Sequence, residues 1–217
     1  MCKIEEGKIF ITFIDDYTSY SCVYLLRSKD KALEVFKHYK NQVENQLSKK
    51  KKMIRSDKCG EYEAPFDEFY LEHSIIHQTT APYSPQSNNI AKLKNQTLKD
   101  MMNVMLISSG LPHNLWGEAI LSSNHILNKI PHKKKDVTPY ELWKEIKPSY
   151  KYLNVWGCLA KVVIPNLIKV KIDSKIVYCV FIGYANNSSA YRFLVYKSNI
   201  PGIHKNTITE PRNASFF

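Results

Sequence analysis

Two aspartates stand at the ends of apolar runs, Asp15 after IFITFI and Asp57 after KMIRS. A carboxylate that closes a buried strand is held by the sheet, with its charged head at the edge. Two of them on neighbouring strands would offer the hard oxygen ligands that divalent cations prefer. Paired ions about 4 Å apart activate a water or hydroxyl and stabilise the leaving oxygen of a phosphodiester. Taken singly, each aspartate also has a plainer reading, because Asp commonly opens a turn. Asp16 takes that plainer reading, since it follows Asp15 by one residue and so points the other way. Glu61, beyond Gly60, reads as structural. The seven histidines lack zinc spacing, and the five cysteines (Cys2, Cys22, Cys59, Cys158, Cys179) contain no C-x-x-C pair. Scattered cysteines of odd number argue against a zinc site or a disulfide scaffold and for a reducing compartment.

The elements that must position the two aspartates follow from periodicity. IFITFI is a continuous β-branched and aromatic run, and YSCVYLL (20–26) is a second strand after a short turn. Together they predict an antiparallel hairpin. Ala32, Val35, Phe36, Tyr39, Val43 and Leu47 recur at helical spacing. Met53 to Arg55 starts a short strand, expected in the same sheet as the hairpin, and Pro65 to His73 reads as a helix. A strand at 75–78, a polar loop over 79–89 and a long helix from Ile90 to Ser109 follow, the last stopped by Gly110 and Pro112. Helices are expected over 115–129 and 139–146, then strands over 155–164, 176–184 and 191–196. Trp116, Trp143 and Trp156 fall in apolar patterns and read as core. The basic turns Lys49–Lys52 and Lys133–Lys135 read as solvated.

Composition bounds the reading. The 217 residues are 44% hydrophobic, with 14 Tyr, 9 Phe and 3 Trp, which suits one domain of roughly 150 residues plus a smaller module. The net charge of +11 and pI near 9.3 favour a polyanionic partner. No apolar run approaches the ~20 residues needed to span a bilayer. MCKIEEGK lacks the apolar stretch of a signal peptide, so a nuclear or cytoplasmic rather than secreted protein is expected.

The segments ITFIDDYTSY, RSDKCGEY, TAPYSPQSNNIAKLKNQTLK and TPYELW resemble, in order, the signatures of the integrase catalytic core of copia-type long-terminal-repeat retrotransposon Pol polyproteins. WGCLAKVVIP, FIGY and HKNTITEPRNASFF resemble the region that follows it. The resemblance covers nearly the whole chain. It implies an α/β fold: an RNase H-like mixed sheet flanked by helices, then a small SH3-like, barrel-like β module. The corresponding divisions are a core over 1–110, a helical extension over 111–150 and the β module over 151–217. It also implies a polynucleotidyl transferase that joins element DNA to target DNA, works as a homo-oligomer and uses two Mg²⁺ (or Mn²⁺) ions. The family triad falls on Asp15, Asp57 and position 92, the two aspartates being catalytic and metal-binding. The family's zinc-binding segment lies upstream of the core, so the chain is expected to be a degenerate fragment of a longer polyprotein.

Position 92 departs from the family. Where the pattern is P-Q-x-N-G-x-A-E-R-K-N, this chain reads PQSNNIAKLKN, with Lys92 in place of the glutamate. A compact cation replaces a metal-binding anion. Asp100, more than two helical turns or ~12 Å along, cannot stand in. The family's Asn-Gly-Gly after the second aspartate is Lys58-Cys59-Gly60, and its loop Gly is Asn89. These departures predict loss of strand transfer. The resemblance places DNA on the face after the loop, with Gln86, Asn88, Lys92, Lys94, Asn95 and Lys99 as candidate contacts. Lys92, Asn95 and Lys99 share an i, i+3, i+7 face. Lysines neutralise phosphates without reading bases, so binding should be salt-sensitive and weakly specific. Three readings stay open: a DNA-binding but silent integrase core, an active transferase in which another group replaces the glutamate, and a host-adopted or decaying interaction module without catalysis.

Overall fold

The computed structural model describes residues 9–56, 63–79, 85–131, 136–163, 176–186, 188–198, 200 and 202–217, with 63–65 and 85–88 described by backbone alone. The described residues divide into two compact units, one drawing on 13–23 and on 97 onward, the other on 9–12 and 24–96.

The second of these begins with part of the chain's first ladder, β1 (Ile9–Ile14) with β2 (Ser21–Leu26), whose turn end belongs to the first unit. The turn between them closes as a hairpin: Asp15 N–H donates to the Tyr20 carbonyl at 2.9 Å, and Ser19 N–H to the Asp15 carbonyl at 2.8 Å. Helix α1 (Ala32–Leu47) follows a single 3₁₀ turn at Lys29–Lys31. It buries Phe36, Tyr39 and Val43, the predicted stripe, and ends at Ser48 with φ 51°. Helix α2 (Glu63–Glu72) supplies Phe66, Phe69 and Tyr70, whose rings surround Phe36 with centroids 5.8–6.0 Å away. Strands β3 (Met53–Ser56) and β4 (Ile76–Thr79) pair in parallel, Met53 opposite Ile76 and Ser56 opposite Thr79. The single sheet expected for these strands is thus seen, among the described residues, as two two-stranded ladders, β1–β2 and β3–β4. Helix α3 spans Pro85–Ser109. Of the polar run expected to be loop over 79–89, residues 85–89 are instead the first turn and a half of this helix, with Pro85 at the first position, where its missing N–H costs nothing.

The other unit holds α4 (Trp116–Leu127), α5 (Pro139–Lys144) and a five-stranded sheet of β5 (Leu159–Val163), β6 (Ile176–Tyr184), β7 (Tyr191–Lys197), β8 (Ile208–Thr209) and β9 (Ala214–Phe216). The order is β8-β7-β6-β5-β9, with every pair antiparallel. Alternation along β6 sorts its side chains between two cores. Val177, Cys179 and Phe181 join Ala160, Val162, Tyr191, Phe193, Val195 and Ile203 on one side. Ile182 joins Leu106, Leu115, Ala119, Trp156, Leu194 and Ile208 on the other, against the helices. Trp156 Nε1–H and the Ser122 hydroxyl both donate to the Ile182 carbonyl, at 2.7 and 3.1 Å. Gly157 sits close against Ser109: at φ 86°, a Cβ there would lie 2.4 Å from Ser109 Cβ. At the entry of β2, Ser21 is clasped by two amides one turn apart, those of Asn124 on α4 and Asn128 at its C-cap. Asn124 Nδ2 and Asn128 Nδ2 each donate to its carbonyl at 2.8 Å, and the Asn128 Oδ1 accepts its N–H at 3.0 Å. Trp143 and Trp156 are buried, as the sequence predicts, and Trp143 stacks on Tyr20 at 5.0 Å.

Candidate active site and nucleic-acid face

Asp15 follows the last residue of β1 and opens the hairpin turn. Its Oδ2 accepts from Thr18 N–H at 3.0 Å and from the Thr18 hydroxyl at 2.8 Å. This is the aspartate-capped turn of the plainer reading, and it also fixes the carboxylate rotamer. Asp16 is exposed in the turn, as expected. Asp57 lies outside the described residues, and with it the expected approach of the two carboxylates. Its neighbour Ser56 is described, at the end of β3. The Ser56 hydroxyl is 2.8 Å from His77 Nε2, and His77 Nδ1 is 3.6 Å from Asp67 Oδ1. The Tyr70 ring sits 4.8 Å from the imidazole. This polar chain ties β3, β4 and α2 together one residue before the second candidate aspartate.

Helix α3 carries the remaining candidates. Lys92 and Lys99 are exposed, two turns apart. Lys94 and Asn95 are half-buried. Both share a helical face with Leu98, which is fully buried, through i, i+4 and i, i+3 spacing. Burial pushes the Lys94 ammonium down to about 8. The Asn95 Oδ1 is buried without a hydrogen-bond partner, a costly arrangement for a polar atom. The expected single face of Lys92, Asn95 and Lys99 is therefore split, with the lysines outward and the asparagine inward. The side chains of Gln86 and Asn88 lie outside the described residues, as does Lys133–Lys135. In the other basic turn Lys51 is not merely solvated: its Nζ lies 3.1 Å from the Tyr39 hydroxyl.

One oxygen of Asp15 is engaged by Thr18, and position 92, the third triad position that the resemblance implies, is a lysine. Among the described residues no group of three His, Cys, Asp or Glu side chains could hold an ion.

Over 188 residues, 86% of this chain, the sequence is 36% identical to the retrovirus-related Pol polyprotein from transposon TNT 1-94 of Nicotiana tabacum. The corresponding polyproteins from transposons RE1 and RE2 of Arabidopsis thaliana are 28% and 26% identical over 86% and 87% of the chain. The chain spans only 14%, 13% and 13% of those relatives' lengths. Residues 158–217 match the family model of the retroviral polymerase SH3-like domain. A chain of the simian T-cell lymphotropic virus intasome, solved by cryo-EM in complex with PP2A regulatory subunit B56 gamma, superposes with a TM-score of 0.51 at 15% identity, covering 95% of this chain and 68% of that one. At that identity the likeness concerns fold. The fold class read from the sequence, a mixed helix–strand integrase-like core followed by an SH3-like antiparallel module, holds.

Proposed function

We propose, for a chain homologous over most of its length to plant-transposon Pol polyproteins, that it is a retrotransposon integrase core by descent that binds DNA and does not catalyse strand transfer. The observation that carries this reading is Lys92, exposed on α3 at the position where the family pattern has its glutamate. Two-metal phosphoryl transfer needs enough negative charge to hold two divalent cations against their mutual repulsion. Asp15 and Asp57 supply two charges, and the lysine subtracts one. In this reading DNA is the partner, met through phosphates by Lys92 and Lys99, and the protein works as a homo-oligomer in the nucleus or cytoplasm. No helix among the described residues is long and apolar enough to cross a membrane.

The test is a strand-transfer assay on this chain and its Lys92→Glu form, paired with melting curves in Mn²⁺. Manganese should leave the melting temperature of the unaltered chain unchanged and raise that of Lys92→Glu. Mn²⁺-dependent joining by the unaltered chain, abolished by Asp57→Asn, would overturn the silent-core reading in favour of an active transferase. DNA binding should weaken steeply with salt, each phosphate contact contributing a slope of about −0.9 in log K against log salt on duplex DNA. Lys99→Glu should flatten that slope by about 1. Binding indifferent to salt and to that change would favour the interaction-module reading, which the inward turn of Lys94 and Asn95 already supports.

A further inference from the structure

At the C-terminal end of α4, the side chains of His125 and Lys129 meet, with Lys129 Nζ 2.8 Å from His125 Nε2. The imidazole lies flat on Tyr184 of β6, ring centroids 4.0 Å apart and planes 13° from parallel. The ammonium sits over the faces of Tyr140 and Tyr184, at 5.6 and 5.9 Å. The Tyr150 hydroxyl donates to the Lys129 carbonyl at 3.0 Å, and the Tyr184 hydroxyl accepts from Asn154 N–H at 3.3 Å. Lys129 is only 9% exposed. Among the described residues no carboxylate contacts it.

Burial lowers the Lys129 ammonium from its usual value, and with that lysine charged, donor counting sets the protonation of this slot. An ammonium has donors only, so the short contact requires a lone pair on Nε2 and puts the imidazole proton on Nδ1. A protonated imidazole would set N–H against N–H where no anion intervenes. The ring faces favour the ammonium, so the proton refused is the histidine's. Burial, with the Lys129 charge beside it, accordingly holds His125 down at about 4.

We propose that the stack of Tyr184, His125, Lys129 and Tyr140 is an acid-released latch between helix α4 and the five-stranded sheet. One proton taken by His125 creates two adjacent cations. Either the lysine leaves its aromatic slot or the imidazole leaves Tyr184, and both moves part the helix end from β6. An open-state histidine titrates near 6.5. Above that pH the latch has its full strength. Between 6.5 and about 4 the open state binds a proton that the closed state refuses, so the latch weakens steadily, and below about 4 the loss is complete. Among the described residues a second titrating join lies at the opposite end of α4, where Glu118 meets Arg192 of β7, itself paired with Glu210. That join answers to carboxylate protonation, and a histidine substitution separates the two.

The experiment is hydrogen exchange by mass spectrometry on the full chain at about pH 7.5 and about pH 5, corrected for intrinsic rates, with an NMR titration of the His125 ring. Opening of peptides across 116–129 and 176–184 should rise about thirty-fold between the two pH values, the factor expected when 6.5 and about 4 are the open and closed titration points. In His125→Phe, which keeps the stacking and cannot titrate, that rise should vanish. If His125→Phe does not fold, Lys129→Met serves: without the neighbouring charge the rise should shrink. An imidazole that titrates above pH 6 in the folded chain, or an unchanged rise in the folded variants, overturns the latch.

Discussion

The β3–β4 ladder and the β5–β9 sheet are stabilised differently. Six of the nine residues of β6 are buried, five of them in an unbroken run over 179–183, and Phe181 alone meets the rings of Tyr184, Tyr191, Phe193 and Phe216. Neither strand of the β3–β4 pair, four residues each, contains a fully buried side chain. What links that pair to its surroundings is polar, the Ser56–His77–Asp67 chain. Apolar burial scales with area and is indifferent to direction, whereas a hydrogen-bond chain adds little net energy and fixes geometry. The β module is thus organised for stability, and the ladder before Asp57 for placement.

Paired truncations give the largest expected contrast. Phe181→Ala, at a site 1% exposed, should cost about 3–5 kcal/mol in urea unfolding. Met53→Ala on β3, at 46% exposure, should cost about 0.5 kcal/mol or less. Equal losses would mean that the two sheets do not differ as described. Next in size is the ionic join of the β module. Glu118 binds Arg192 through both oxygens, at 2.7 and 3.0 Å, with side chains 8% and 18% exposed. Glu118→Gln leaves the guanidinium short of its main counter-charge and should cost about 3 kcal/mol; a loss within error of zero by chemical denaturation would show the pair to be dispensable. The smallest effect is expected on α3. Lys94 is held near 8, below its unfolded value, so the folded chain binds fewer protons than the unfolded between about pH 8 and 10.5 and gains stability as pH rises through that window. Lys94→Met should therefore melt higher than the unaltered chain at neutral pH, with the gap closing toward pH 10.5. A gap independent of pH would place the effect elsewhere.

Much of this is legible in the sequence. The bounds of β1 and β6 coincide with apolar runs because both are bordered in sequence by charged or polar residues. The burial of Trp143 and Trp156 follows from the same periodicity. The start of α3 was not legible, since PQSNN has poor helix propensity and only proline's fitness for a first turn hints at it. The half-burial of Lys94 and Asn95 is not indicated by the lysine-rich spacing but by their relation to Leu98, three and four residues on, a signal the sequence does contain. The Ser56–His77 contact had no such signal. It depends on the parallel register that sets Ile54 opposite His77, which no local pattern specifies. Asp15's engagement by Thr18 was half legible, as an ordinary turn preference.

The clasp on Ser21 has a consequence in time. Its two amide partners lie 103 and 107 residues downstream. At ribosomal speeds of about 5–20 residues per second, the first hairpin leaves the ribosome roughly 5–20 s before the helix that holds its second strand exists. An isolated two-stranded hairpin is at best marginally stable in water, so for that interval the nascent chain exposes its most apolar strand, IFITFI, as an unguarded edge.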